Sequence, residues 1–358
     1  MIAEIRDFLN RERGYSLLLI GILVFYSFFL ILSEKEEYTP SPAMEKIKTV
    51  QASFESHRDE QDYLAKFFNE NKDSALVAAG SFIMFILFII IGFIMSVVFF
   101  VQRIHGRSLL ERVSDGATVA WGVGDIAKII ILFISISIIT GIGFGSINDA
   151  FFHDQHKNLF IILHTTVTDI AILCFIMYFI VIKYKASIKT IGLNGAHVIK
   201  DMIIGGISYS MILPYLLAVI VLLSIIMQMI QFEPPPHPLV DIFLIEDRQS
   251  PFLIGFSIVL ACVIGPFIEE IFFRGFCYNA IKKKWGVRAA MIVTASFFAF
   301  IHQSTFSFIP IFFLGFILAY LYEKRGTLIP SITLHIVHNS LFIGYFFLLK
   351  RCVIDRIG

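Results

Sequence analysis

Three short motifs near the C-terminal end place carboxylates, imidazoles, a guanidinium and an amide inside strongly apolar stretches. They are Glu269-Glu270-x-x-x-Arg274, Phe298-x-x-x-His302 and His335-x-x-x-Asn339. Ionisable side chains are costly at membrane depth, so they normally face a protein interior or a water-filled cavity. Three such motifs in neighbouring apolar stretches therefore predict one shared polar site.

The residue types in these motifs fit the hydrolysis of an amide bond. A carboxylate or an imidazole can take a proton from water, and this assigns the activation of water to Glu269 with His302. Hydrogen-bond donors stabilise the oxyanion that develops on the attacked carbonyl group. His335 and Asn339 can supply those donors.

The two adjacent glutamates are expected to have different tasks. Within a helix, Glu270 and Arg274 lie four residues apart on one face, so they can pair and lower the cost of both charges. Glu269 points about 100° away from Glu270 and is free to face a cavity. Pro266, three residues before Glu269, is expected to disturb the helix and to free backbone groups near the site.

A zinc site is a second version of the same centre. Glu269, His302 and His335 can serve as three protein ligands, with water as the fourth. The sequence lacks H-E-x-x-H, which is the stronger local zinc motif. The metal-free version is therefore preferred, and no cofactor is predicted.

The overall composition is that of a membrane protein. Of 358 residues, 57% are hydrophobic and 16% are charged, and the mean hydropathy is +0.80. Such values are typical of a polytopic membrane protein rather than a soluble domain. The net charge of +1 gives no electrostatic basis for binding nucleic acid. The four cysteines form no C-x-x-C motif, so neither a disulfide framework nor a redox motif is indicated.

Apolar runs long enough to cross a bilayer recur along the chain. They predict an all-α fold, a polytopic transmembrane helical bundle with about eight or nine spans. The predicted spans lie near 15–32, 75–101, 126–144, 159–182, 202–230, 257–281, 287–304, 306–322 and 327–349.

Two regions are expected along the chain. Residues 1–230 form an N-terminal membrane region with an extramembrane segment at 33–74, and residues 251–350 form the catalytic core. An amphipathic helix is predicted at 53–69. Residues 231–250 contain three consecutive prolines, which favour an extended connection and mark the boundary.

Basic residues favour one orientation in the membrane. If the N-terminus lies in the cytoplasm, most loop lysines and arginines fall on the cytoplasmic side. The opposite short loops then hold only Lys157 and Arg248. This asymmetry agrees with the positive-inside rule. We therefore expect an integral membrane protein with a cytoplasmic N-terminus.

In this order and on separate spans, the three motifs resemble those of the CAAX-protease and bacteriocin-processing (CPBP) family. This Abi-type group includes the Ras-converting prenyl endopeptidases. The resemblance covers the last third of the chain and implies a helical intramembrane protease. It assigns the activation of water to Glu269 and His302 and the oxyanion to His335 and Asn339, with the rest of the first motif in support.

The same resemblance has consequences for substrates, cofactors and location. It implies a membrane-associated protein or peptide substrate, with or without a lipid anchor, and surrounding membrane lipid. Members have been described both as metal-dependent and as glutamate-type, so zinc stays open. We expect a bacterial cytoplasmic membrane as the location.

Two other classes of function remain as alternatives. Asp169 and His164, with the glutamates, can form the proton route of a coupled transporter, although hydrogen bonding between helices is the preferred account. A catalytically silent membrane scaffold is the third class. The string Gly122-x-Gly124-Asp125 matches that of presenilin-like aspartyl proteases, but a glycine-rich turn entering a helix is preferred because so short a motif matches by chance.

Overall fold

The structure is a computed structural model that describes most of the chain. The described residues are 2–33, 72–106, 118–153, 156–195, 197–232, 238–245 and 250–354, with positions 45, 48, 49, 52 and 110. All regular structure in them is helical, and they contain no strand. The amphipathic helix predicted at 53–69 and the three consecutive prolines lie outside the described residues.

The helices follow the predicted spans closely. They are α1 (Ile2–Arg11), α2 (Arg13–Ser33), α3 (Lys72–Ile104), α4 (Val123–Ile147), α5 (Lys157–Met177), α6 (Val198–Met229), α7 (Pro238–Ile245), α8 (Pro251–Val259), α9 (Gly265–Glu270), α10 (Asn279–Ile301), α11 (Phe308–Arg325) and α12 (Ile329–Leu349). Five π-helical segments continue or join these helices: Asn148–Phe152, Tyr178–Lys183, Leu260–Ile264, Ile271–Tyr278 and Lys350–Ile354.

Six helical segments of the described chain are long and apolar enough to cross a membrane. One of them, Pro251–Ile301, has 51 residues, more than twice the length that one crossing needs. Gly286 interrupts it with φ 82° and ψ 175°, a conformation open essentially only to glycine. Gly286 therefore divides this segment into two helical parts that differ in direction. Together with the shorter apolar helices α2 and α11, the described chain is an all-α polytopic membrane bundle, as predicted.

The connection before the predicted core is not purely extended, so that expectation was wrong in part. Pro238 begins the short helix α7. Proline is tolerated in the first helical turn, where its missing N–H would have no partner in the helix. Ile242 and Phe243 of α7 are buried and pack in one cluster with Leu253 of α8. This packing attaches the connection to the bundle.

Close helix packing surrounds the π segment that follows the acidic doublet, Glu269 and Glu270. The π segment Ile271–Tyr278 is buried throughout, and the Trp121 ring stacks on the Phe276 ring at 5.1 Å. Gly315 allows α11 to approach α10, because a Cβ at this position would lie 3.1 Å from the Phe298 ring. Arg274 of the first motif and Phe298 of the second are thus held inside the bundle.

Ion pairs join helix ends that were predicted to lie on the same side of the membrane. Arg325 at the end of α11 pairs with Asp201 near the start of α6, with 2.5 Å between Nη2 and Oδ1. Lys282 in α10 pairs with Glu323 in α11 at 2.6 Å. These contacts are consistent with spans that alternate in direction.

The Gly122-x-Gly124-Asp125 string forms the start of α4. Asp125 accepts hydrogen bonds from the Gly122 N–H at 3.0 Å, from Lys183 Nζ at 2.7 Å and from the Tyr184 hydroxyl at 2.6 Å. Burial and the hydrogen bond to Asp125 raise the pKa of the Tyr184 hydroxyl. The aspartate therefore caps a glycine-rich turn and ties α4 to the end of α5, as preferred from the sequence.

Candidate active site

Glu270, at the end of α9, is the centre of a buried polar cluster. Its Oε1 accepts a hydrogen bond from Arg274 Nη1 at 2.7 Å and lies 3.0 Å from His335 Nδ1. Glu270 and Arg274 are fully buried, and His335 is 3% exposed. Charges buried this deeply persist only when they are paired and hydrogen-bonded. The expected Glu270–Arg274 pair is present, and His335 joins it from α12.

Arg274 connects this cluster to the neighbouring helices. Its Nη2 donates to the Gly315 carbonyl oxygen of α11 at 3.0 Å. Its guanidinium carbon lies 4.7 Å from the centre of the Phe298 ring of α10, within the range of a cation–π contact. Arginine thereby fixes the position of Glu270 relative to both helices.

The first motif lies between two stretches of π-helix. Glu270 ends α9, and the π segment Ile271–Tyr278 with Arg274 follows directly. Pro266 comes just after the π segment Leu260–Ile264, so the predicted disturbance is found at the predicted place. π-Helical turns are rare and frequently occur at functional sites. A pattern of apolar residues does not reveal them, so the sequence predicted a disturbed helix here but not its π-helical form.

Asn339 completes the hydrogen bonding that Pro266 leaves open. In the preceding π segment the Gly265 N–H bonds to the Leu260 carbonyl, five residues back. The next bond of this series would join residue 266 to the Ala261 carbonyl, but proline has no N–H to donate. Asn339 Nδ2 donates to the Ala261 oxygen instead, at 2.8 Å. An amide nitrogen carries two hydrogens, so Asn339 keeps a second donor.

Glu269 is the accessible member of the acidic doublet. Its Oε2 lies 3.6 Å from His335 Nε2, and its side chain is 33% exposed. This separation is too long for a direct hydrogen bond. Asp169 of α5 lies close enough for its charge to interact with that of Glu269. His335 therefore lies between two carboxylates, Glu270 at Nδ1 and Glu269 at Nε2.

His302 follows directly after α10, and a hydrogen bond to that helix fixes its ring. Its Nδ1 lies 2.7 Å from the Phe298 carbonyl oxygen. Because a carbonyl oxygen only accepts, Nδ1 must carry the proton, which leaves a lone pair on Nε2 when the ring is neutral. The Phe298 ring makes edge contacts with His302 at 4.8 Å and with His335 at 5.6 Å. The four-residue spacing of the second motif thus allows Phe298 to contact His302 twice, through its carbonyl oxygen and through its ring.

The structure brings several of the predicted residues together. Glu269 lies beside His335, and the joint activation of water by Glu269 and His302 stays a prediction. His335 and His302 both pack on the Phe298 ring. Asp169, considered only for a transporter, lies near the acidic doublet. Its neighbourhood was not predictable, because no local spacing relates α5 to α9.

The positions of the possible metal ligands test the zinc version of the site. Among the residues that the structure describes, no three His, Cys, Asp or Glu side chains lie close enough to form a metal site. Glu269, His302 and His335 would have to move together to bind one ion. The arrangement thus fits proton transfer between neighbouring groups better than a preformed ligand set.

His164 takes part in hydrogen bonding between helices. Its Nδ1 lies 3.0 Å from Thr140 Oγ1, and its Nε2 lies 3.4 Å from Ser137 Oγ. Both partners belong to α4, whereas His164 belongs to α5. This is the account that the sequence favoured over a proton route.

Fold and site together define a class: a polytopic helical membrane protein with a carboxylate–histidine centre buried in its bundle. Residues 251–341 match the family model described as type II CAAX prenyl endopeptidase Rce1-like. The UPF0177 protein YxdF of Lactococcus lactis subsp. lactis is 32% identical over 79 residues, which are 22% of this chain and 41% of that relative. No solved structure is significantly similar.

Through its C-terminal region, the chain is similar to the Rce1-like group of type II CAAX prenyl endopeptidases. The matched range contains all three motifs and lies within the predicted core, 251–350. The aligned stretch spans less than half of the curated relative, so activity and substrate are considered as proposals below.

Proposed function

We propose that this protein is an intramembrane endopeptidase that hydrolyses a peptide bond of a membrane-associated protein or peptide. The observation that carries this proposal is the position of His335 between a fully buried carboxylate and an accessible one. A purely structural ion pair needs only the Glu270–Arg274 contact. The accessible Glu269 beside it adds a group that can meet water and substrate.

In the proposed reaction, Glu269 and His302 Nε2 act as the bases that activate water. The water oxygen attacks the peptide carbonyl carbon and gives up a proton to the base. The tetrahedral oxyanion then collapses, the C–N bond breaks, and the proton passes to the leaving amine. The products are a carboxylate and an amine. Glu270 and Arg274 hold the site in place, and no step requires a metal ion.

Oxyanion stabilisation is assigned to donors on α12. Asn339 can use its second amide hydrogen for this purpose. His335 can donate from Nε2 only when both ring nitrogens carry protons, because its Nδ1 proton is directed at Glu270. A neutral His335 instead presents a lone pair towards Glu269.

The proposed location follows from loop charge. The N-terminus and the basic helix ends face the cytoplasm of a bacterial cell, and the substrate is cleaved near that side. Residues 1–230 form the N-terminal membrane region, and residues 251–350 form the protease core. The matching family model is described as a CAAX prenyl endopeptidase, so a farnesylated C-a-a-X peptide is the first substrate to test.

The experiment uses the full chain in lipid nanodiscs. Two internally quenched peptides end in the same C-a-a-X sequence, one farnesylated on cysteine and one not. We expect Glu269→Gln and His302→Ala each to lower kcat/KM by about 10²–10⁴, the usual contribution of a general base. Asp73→Asn, in the first turn of α3, is the matched control and should cleave like the wild type.

Two results would contradict the proposal. One is undiminished cleavage by Glu269→Gln. If neither peptide is cut, the membrane proteomes of cells that express the wild-type protein or Glu269→Gln are compared. Identical proteomes would exclude proteolysis by this site.

A further inference from the structure

We propose that His338 is a further catalytic residue of this site and donates a hydrogen bond from Nε2 to the oxyanion. The inference rests on the peptide hydrolysis proposed above. Few hydrogen-bond donors are available for the oxyanion, because the ring N–H groups of the other two histidines already point at protein acceptors. Nδ1 of His302 donates to the Phe298 carbonyl, and Nδ1 of His335 faces Glu270. In their neutral forms both rings present only a lone pair at Nε2.

In His338 the proton is expected on the other ring nitrogen, Nε2, and not on Nδ1 as in His302 and His335. Its Nδ1 is buried and has no hydrogen-bond partner among the described residues. A buried N–H without an acceptor is rarer and more costly than a buried lone pair. The neutral ring therefore keeps its proton on Nε2. That proton makes His338 the histidine that can donate without first being charged.

Aromatic contacts fix the ring in this orientation. The Tyr209 ring of α6 meets it edge-on at 5.7 Å, and the Phe342 ring lies at 4.8 Å. Tyr209 is fully buried and acts as a positioning residue. Because Tyr209 lies outside the matched range 251–341, the N-terminal region helps to build the active site.

The position of His338 places it within the centre rather than behind it. It follows His335 by three residues, nearly one helical turn, on the same helix. His302 and His335 both lie within electrostatic range of it. Asn339, the next residue, keeps one free amide hydrogen. Residues 338 and 339 therefore offer two donors from one turn of α12, close to the water-activating groups.

Three substitutions separate the two ring nitrogens of His338. A glutamine amide reaches the position of Nε2, whereas an asparagine amide reaches only that of Nδ1. With the farnesylated peptide we expect His338→Gln to stay within about tenfold of wild-type kcat, and His338→Asn and His338→Phe to lose about 10²–10³, the effect of removing one oxyanion donor. KM should change little, because the interaction forms only in the transition state. His164→Gln is the control and should keep wild-type kcat.

A second measurement does not depend on any substrate. ¹⁵N NMR of the histidine rings in the intact protein distinguishes the tautomers. We expect His338 with its proton on Nε2, and His302 with its proton on Nδ1. A proton on Nδ1 of His338, or wild-type kcat in His338→Phe, overturns the inference. If Glu269→Gln abolishes cleavage while His338→Phe does not, the proposed function stands and only this inference fails.

Discussion

At the scale of single residues, the two glutamates differ because their surroundings differ. Glu270 has no exposed surface and shares one oxygen between Arg274 and His335, whereas Glu269 keeps a third of its side chain exposed. A buried carboxylate with fixed partners is suited to hold geometry. An accessible one beside an imidazole is suited to move a proton.

The buried pair leads to a prediction about stability. Arg274→Met should lower the free energy of unfolding by about 3–5 kcal/mol, because it leaves the Glu270 carboxylate buried without its cation. The double variant Arg274→Met with Glu270→Gln removes both charges and should recover part of that loss. Unfolding in detergent, followed by intrinsic fluorescence, measures the difference. Strictly additive losses would show that the two side chains do not stabilise each other.

A prediction about metal also belongs to the residue scale. We expect purified, active protein to contain less than stoichiometric zinc, and a chelator to leave cleavage of the farnesylated peptide unchanged. The reason is that the described His, Cys, Asp and Glu side chains form no group of three with metal-site geometry. Mass spectrometry of the metal content and a chelator titration check this. Loss of activity that added zinc restores would establish the metal version.

At the scale of elements, π-helical segments flank the side chains of the first motif. One precedes Pro266, and another begins directly after Glu270. The open carbonyl of Ala261 is bonded by Asn339 from α12, so the irregular helix and α12 are held together at the site. The third motif thus has a structural task in addition to its proposed catalytic one.

A double-mutant cycle tests this connection. Asn339→Ala should destabilise the wild type by about 1–3 kcal/mol, because a buried carbonyl loses its partner. In a Pro266→Ala background the backbone N–H of residue 266 can bond to Ala261, so the same change should cost less. Thermal unfolding of the four proteins gives the coupling. Equal costs in both backgrounds would mean that the Asn339–Ala261 bond does not compensate for proline.

At the scale of the whole molecule, the bundle has one end where basic and acidic helix ends meet. The Arg325–Asp201 and Lys282–Glu323 pairs are both there. Lys157 begins α5 and belongs to the end predicted to be opposite. From alternating spans and the positive-inside rule, we propose that the first of these ends faces the cytoplasm.

Cysteine labelling in intact cells tests this orientation. A membrane-impermeant maleimide added outside should label Lys157→Cys, and it should label Lys284→Cys only after the cells are opened. The unsubstituted protein is the control, because three of its four cysteines are buried. Labelling of Lys284→Cys from outside would reverse the proposed topology.

The sequence by itself determined the all-helical membrane architecture, the approximate bounds of the spans and the Glu270–Arg274 pair. These features depend on local physics. Long apolar runs require helices in a bilayer, and residues four apart share a helix face. The disturbance at Pro266 was equally local, because proline lacks an N–H.

Only the tertiary structure decided which groups meet across helices. It placed His335 between the two glutamates, gave Asn339 the Ala261 carbonyl as its partner, and brought Tyr209 of α6 against His338. No spacing along the chain relates these residues, because their contacts depend on how separate helices pack and on π turns that rotate the side chains that follow. Spacing could therefore name most of the chemical groups, while packing assigned their neighbours.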